Sequence, residues 1–151
     1  MQSAFTHIAN NKLCWIKSSS SIYESKPFGE VPQDNFLNAV IKISTGLNIS
    51  SLFDFLKSTE KLVGRTDSVR WGPREIDIDL LYFNDLLHST EKISVPHPGI
   101  QLRDFVILPL NEIAPDFIHP ALKKKNSDIC KEISESYIVG RLPGGLIINK
   151  V

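Results

Sequence analysis

Residues 75–83 read EIDIDLLYF. Apolar and acidic residues alternate with period two, the pattern of a β-strand, so the chain has to build a sheet around this run. Ile76, Ile78 and Leu80 fall on one face, and Asp77, Asp79 and Leu81 on the other. Carboxylates at i and i+2 on one strand face lie roughly 6–7 Å apart. Unneutralised, such a pair repels and raises one pKa. A hard cation resolves the conflict. Mg²⁺ prefers oxygen ligands and takes one or two carboxylates, with water and substrate phosphates completing its shell. Two such ions between these acids would suit phosphoryl-type transfer. The competing reading is an edge strand with a solvated acidic face, and Asp-x-Asp alone does not choose between them.

The flanks add charge of the opposite sign. Arg65, Arg70 and Arg74 lie in the loop RTDSVRWGPR over 65–74, and Lys92, His97 and Arg103 follow the acids. Singly, each arginine is most simply a surface ion pair. Together they suit a bound polyanion, because guanidinium groups grip phosphate in bidentate fashion. Trp71 among these cations fits a loop that closes over something flat, and Gly72-Pro73 is a local bend within such a lid.

Around this run the pattern is mixed. Residues 2–10 suit a short helix and 13–24 an extended segment. SKPFGEVPQ, 25–33, is a loop by its prolines and glycine. Residues 36–44 alternate as one strand, with Leu37, Ala39, Ile41 and Ile43 toward a core. Phe36 and Asn38 share the opposite face, as a flat platform beside an amide that can read a heterocycle edge. A helix is expected over 51–63, capped by Ser50 or Ser51, with Leu52, Phe55, Leu56, Leu62 and Val63 as its apolar stripe and Gly64 at its end. A hairpin-like excursion follows over 84–99. Residues 100–113 suit a helix that Pro109 kinks or restarts. The tail is expected to be irregular until GGLIINKV, 144–151, a short strand. Strands and helices mix without strict βαβ alternation, which defines an α+β class.

The length of 151 residues fits one domain, 1–151. Lys+Arg and Asp+Glu are both 17, and this balance speaks against bulk nucleic acid or an anionic membrane surface as partner. Lys123, Lys124 and Lys125 form a basic cluster that reads as a solvated loop. Cys14 and Cys130 lack metal or disulfide spacing and suit free thiols in a reducing compartment. No apolar run approaches a membrane span and the N-terminus lacks the pattern of a signal peptide, so the expected location is the cytoplasm.

WGPREIDIDLL, over 71–81, resembles the signature of the 6-hydroxymethyl-7,8-dihydropterin pyrophosphokinase family of folate biosynthesis. SIYESKPFG, then Gln33 and FLNAV, is similar to that family's pterin-side segment. Glu60-x-x-x-Gly64-Arg65 and VPHPGIQLRDFVILPLNEIAPDFIHP agree in order and spacing. The resemblance runs from about residue 2 to residue 120, leaving 121–151 as a divergent tail. It implies a ferredoxin-like α+β fold and transfer of the β,γ-diphosphate of ATP to the hydroxymethyl oxygen of the dihydropterin, with release of AMP. Asp77 and Asp79 would hold two Mg²⁺ ions, and Arg65 and Arg74 would join them in catalysis. Trp71, Lys92, His97 and Arg103 would handle the nucleotide, with Glu60, Ile78 and Ser94 nearby. The pterin would lie between Phe105 and Phe36-side groups, its polar edge read by Asn38 and by the loop of Ser25, Lys26, Pro27, Phe28 and Gly29. A monomer is expected, with fusion to or association with another folate-pathway enzyme left open. The alternative function is a relative that binds Mg-ATP or pterin without catalysis. A metal-dependent nuclease is weaker, since no basic stripe accompanies the acids.

Two departures from the family are visible. Members begin with a strand and a Gly-Ser-Asn turn before the first helix, whereas Met1 falls inside or just before that helix. A start at a methionine downstream of the natural one is the favoured explanation. The others are a degenerate relative, or 144–151 taking the strand's place. The second departure is Asp67, where family loops carry arginine; it implies weaker handling of ATP.

Overall fold

The computed structural model describes residues 1–29, 32–64 and 76–147. These residues form four helices and three antiparallel sheets, an α+β arrangement as the sequence predicts.

Helix α1 (Gln2–Ala9) buries Ala4, Phe5 and Ile8. The chain then enters β1 (Cys14–Ser19) and, after Ser20, β2 (Ser21–Ser25). The single strand expected over 36–44 is two: β3 (Phe36–Asn38) pairs with β2, and β4 (Ile41–Thr45) pairs with β1. The reason lies at one crossing. Ser20 N–H donates to the Val40 carbonyl at 2.9 Å, and Val40 N–H donates back to Ser20 Oγ at 2.9 Å. Both segments change sheet at this level, so alternation does not run through. Leu37, expected to face the core, is 51% exposed.

Helix α2 (Ile49–Val63) is capped by Asn48, whose side chain accepts Ser51 N–H at 2.9 Å, rather than by either serine. Leu52 and Leu56 meet Ile8 and Cys14 in one core cluster. Leu62, expected in the apolar stripe, is exposed, because the buried positions 52, 56, 59 and 60 set a face that 62 does not share.

The run 76–83 is extended but joins no ladder among the described residues, which corrects the strand expected over 75–83. Helix α2 and a loop satisfy its backbone instead. Ile78 N–H donates to Glu60 Oε1 at 2.6 Å, the Ile78 carbonyl accepts Lys57 Nζ at 3.2 Å, and the Leu81 carbonyl accepts His97 N–H at 2.8 Å. The predicted two-faced pattern survives. Ile78 and Leu80 pack on the first core cluster, and Leu81 packs on a second, formed by Ile100, Ile107, Leu110 and Ile129.

Strands β5 (His88–Ser89) and β6 (Ser94–Val95) make the expected hairpin-like excursion. Helix α3 (Asp104–Ile113) starts four residues later than expected, after turns over 100–102, and continues through a buried Pro109. The tail is more ordered than its sequence suggests. Helix α4 (Asn126–Glu132) inserts Ile129 into the second core, and β7 (Ile138–Gly145) pairs antiparallel with β2. A seven-residue helix is too short to display periodicity, and tertiary burial of Ile129 and Asn126 fixes it. Strand β7 thus lies on the far side of β2 from β3 and not beside 76–83; residues 148–151 lie outside the described set.

Candidate active site

Helix α2, the extended run and the β5–β6 hairpin converge on an open cavity of about 250 Å³. It is lined by Lys57 and Phe53 of α2, by Ile78, Asp79 and Leu80, and by Lys92, Ser94 and His97 with their neighbours. Asp79, Ile78, Lys92, Ser94 and His97 were all singled out from sequence, and the fold brings them to one wall-lined space. His97 Nδ1 accepts Gly99 N–H at 3.0 Å, which assigns the ring proton to Nε2, and Nε2 lies 3.7 Å from Asp79 Oδ2. A Cβ on Gly99 would meet the His97 ring at 3.1 Å and Arg103 Cδ at 3.3 Å, so glycine lets both side chains lie against this position.

Asp77 is half exposed and points toward α2, where Lys57 Nζ lies 3.5 Å from its Oδ1. The same ammonium donates to Glu60 Oε1 at 2.7 Å and lies 5.6 Å from the centre of the Phe53 ring. Glu60 is only 2% exposed, so Lys57 and Ile78 N–H supply the compensation that a buried carboxylate requires. Lys57 went unnoticed in the sequence. The available signal was its position three residues before Glu60, on the same helix face. Among the described residues no group of three or more His, Cys, Asp or Glu could hold a metal ion by itself. Arg65, Trp71 and Arg74, and the departure at Asp67, lie outside the described residues.

The residues that the family resemblance assigns to the pterin lie in a second region. Asn38 Nδ2 donates to Ser25 Oγ at 2.8 Å, tying β3 to the end of β2. Lys26, Pro27, Phe28 and Gly29 lead away from Ser25, and Gly29 has a positive φ of 111°, which explains a glycine there. Phe105, at the start of α3, has Phe28 and Tyr137 as its ring neighbours, with centroids 6.3 and 5.9 Å away; Phe36 stands on β3, partly exposed. The Arg103 guanidinium stacks over Phe28 at 4.7 Å. Arg103 thus covers the aromatic cluster while its Cδ lies against Gly99, two residues from His97.

Behind this cluster, Glu112 of α3 latches the three-stranded sheet. Its carboxylate accepts Ser21 N–H at 3.0 Å, Ser21 Oγ–H at 2.9 Å and Tyr23 O–H at 2.9 Å, and it faces Arg141 at 3.3 Å. Burial alone would raise its pKa, but these hydrogen bonds and Arg141 outweigh it and leave the pKa lowered. Burial and the bond to Glu112 raise the pKa of Tyr23.

An α+β domain in which a carboxylate, a lysine, a hydroxyl and an imidazole surround one open cavity, with a second aromatic cluster alongside, has the build of a small-molecule transferase. The chain belongs to the 7,8-dihydro-6-hydroxymethylpterin-pyrophosphokinase family, whose profile matches residues 1–115. It is 48% identical over 111 residues to a folic acid synthesis protein of Dictyostelium discoideum, covering 74% of this chain and 17% of that much longer protein. It is 47% identical over 109 residues to the 2-amino-4-hydroxy-6-hydroxymethyldihydropteridine pyrophosphokinase of Aquifex aeolicus, covering 72% of this chain and 68% of the relative. The enzyme of the same name from Haemophilus influenzae is 37% identical over 134 residues, covering 89% and 79%. No helix among the described residues is long and apolar enough to cross a membrane.

Proposed function

We propose that this chain transfers the β,γ-diphosphate of ATP to the hydroxymethyl group of 6-hydroxymethyl-7,8-dihydropterin, as a step of folate biosynthesis. The hydroxymethyl oxygen attacks the β-phosphorus, the bond from that phosphorus to the α,β-bridging oxygen breaks, AMP departs with that oxygen, and the hydroxyl proton passes to solvent. The observation that carries this reading is the gathering of Asp79, Lys92, Ser94 and His97 around one cavity, with Asp77 two positions from Asp79.

The donor chemistry fits Mg²⁺. Asp77 and Asp79 are hard oxygen donors with half-exposed side chains, a pair of carboxylates of the kind that Mg²⁺ takes together with water and phosphate oxygens. Bound there, one or two Mg²⁺ ions would neutralise charge on the transferring diphosphate. The chain's own residues do the rest. Lys92, Ser94 and His97 orient the nucleotide phosphates. Arg103, its guanidinium over Phe28, reaches the phosphates from the aromatic cluster. Ser25, Lys26, Pro27, Phe28, Gly29, Phe36, Asn38 and Phe105 hold the pterin. Glu60 and Ile78 keep the carboxylate-bearing run in register with α2. In this reading Arg65, Trp71 and Arg74 serve phosphate contact and closure over the site, as the resemblance of residues 60–65 and 71–81 to the family implies. No covalent intermediate is required: catalysis rests on positioning and charge neutralisation. A cytoplasmic monomer accords with this reading.

The test is release of AMP from Mg-ATP by the purified chain with and without the pterin. Pterin-dependent AMP that vanishes in Asp77→Ala and Asp79→Ala is expected. A folded chain that binds Mg-ATP and releases no AMP would instead identify a binding protein.

A further inference from the structure

Tyr137 lies in the tail, beyond the residues that match the family profile. Its ring centre is 5.4 Å from that of Phe28 and 5.9 Å from that of Phe105, inclined at 52° and 89°. Phe105 meets Phe28 and Tyr137 edge to face, Phe28 and Tyr137 are tilted, and no pair is stacked. Phe28 remains 53% exposed, which leaves the cluster open at the surface.

The backbone of Tyr137 is fixed on both sides. Its N–H donates to Asp104 Oδ2 at 2.8 Å, and so does Ile138 N–H at 2.9 Å. Asp104 is 4% exposed, and its other oxygen accepts Phe105 N–H at 2.8 Å. On the opposite side, Lys26 N–H donates to the Tyr137 carbonyl at 2.8 Å. One carboxylate thus sets Tyr137 and Phe105 in mutual register, and Tyr137 in turn holds the start of the loop that carries Phe28.

We propose that Tyr137 is a further substrate-contacting residue, which completes the aromatic wall for the flat heterocycle, and that Asp104 is the positioning residue that aims it. This rests on the assignment of the pterin to the Phe105 side of the site. An aromatic side chain, with two χ angles and a backbone held on both sides, offers a planar ligand contact area at little cost in conformational freedom. The tail therefore contributes to substrate selection.

The experiment is calorimetric titration of the full chain with 6-hydroxymethylpterin, in the presence of Mg²⁺ and α,β-methylene-ATP, and separately with that nucleotide alone. Tyr137→Phe should bind the pterin within about twofold of the natural chain, whereas Tyr137→Leu and Tyr137→Ala should each lose about tenfold, as expected for one aromatic contact. Nucleotide affinity should stay within about twofold in all three, since the cavity is not touched. Pterin affinity unchanged in Tyr137→Leu, or lost in step with nucleotide affinity, overturns the proposal. The leucine variant keeps apolar bulk, so it reports even where alanine unfolds the tail. If the natural chain binds nucleotide but no pterin, the functional assignment itself falls and the proposal with it.

Discussion

The backbone N–H of Ile78 donates to the Glu60 carboxylate at 2.6 Å, and Glu60 is almost fully buried. A helix side chain does here what a neighbouring strand does in a sheet. It satisfies the backbone of the residue that separates Asp77 from Asp79. Replacing Glu60 by alanine leaves the Ile78 N–H and the Lys57 ammonium without this acceptor. The expected loss is about 2–3 kcal/mol of stability, read from urea unfolding. Glu60→Gln keeps an acceptor and should lose less; equal losses would show that the carboxylate acts by charge alone.

Lys57 bridges Glu60, Asp77 and the Ile78 carbonyl. Lys57→Met preserves the apolar stem and removes the charge. It should lower stability by about 1–2 kcal/mol, because Glu60 stays buried with one partner fewer. If the carboxylate run is held from α2, this variant should also alter the Mg²⁺ concentration needed for nucleotide binding, followed by titration calorimetry. An unchanged Mg²⁺ requirement would show that Lys57 only staples the backbone.

Asp79 lines the cavity with its side chain 42% exposed, so it is cheap to replace, and the proposed function makes it central to the chemistry. Asp79→Asn should fold with an unfolding midpoint near that of the natural chain and release AMP about 10²–10³-fold more slowly, the scale on which loss of one charge-stabilising group acts. Near-natural turnover would remove Asp79 from the reaction.

Glu112 supplies a pH signature. Its pKa is lowered in the folded chain from a usual value of 4.5, chiefly because the bonds from Ser21 and Tyr23 outweigh burial. A depressed folded pKa means that the stabilisation is complete above the unfolded value and is lost as pH falls through the folded one. Stability should therefore drop below pH 4.5, and Glu112→Gln should flatten that part of the profile while costing stability at neutral pH. Parallel acid profiles for the two chains would show that the latch does not titrate.

Much of the site was legible because its chemistry is dense in one stretch. The spacing of Asp77 and Asp79, with Lys92 and His97 soon after, nominated residues from pattern, the family resemblance added Ser94, and the fold gathers Asp79, Lys92, Ser94 and His97. The two-faced character of 76–83 was also readable, since Ile78 and Leu80 face one core and Leu81 the other. The absence of a ladder there was not readable, because alternation reports faces and not partners. The break at Val40 was hidden for a like reason: a buried serine sixteen residues or more from that strand, Ser20, redirects it. Lys57 and Tyr137 escaped because each acts through tertiary contacts that no local pattern encodes.

The pairing of β2 with β7 carries a consequence for the order of assembly. Arg141 meets Ser21 across 120 residues of chain, so the middle strand of the pterin-side sheet leaves the ribosome long before its outer partner exists. The helical core around Leu52 and Leu56 can consolidate early from nearby segments, whereas the wall proposed to select the substrate is among the last parts to close. A nascent chain is thus able to shelter its hydrophobic interior before it can discriminate between ligands.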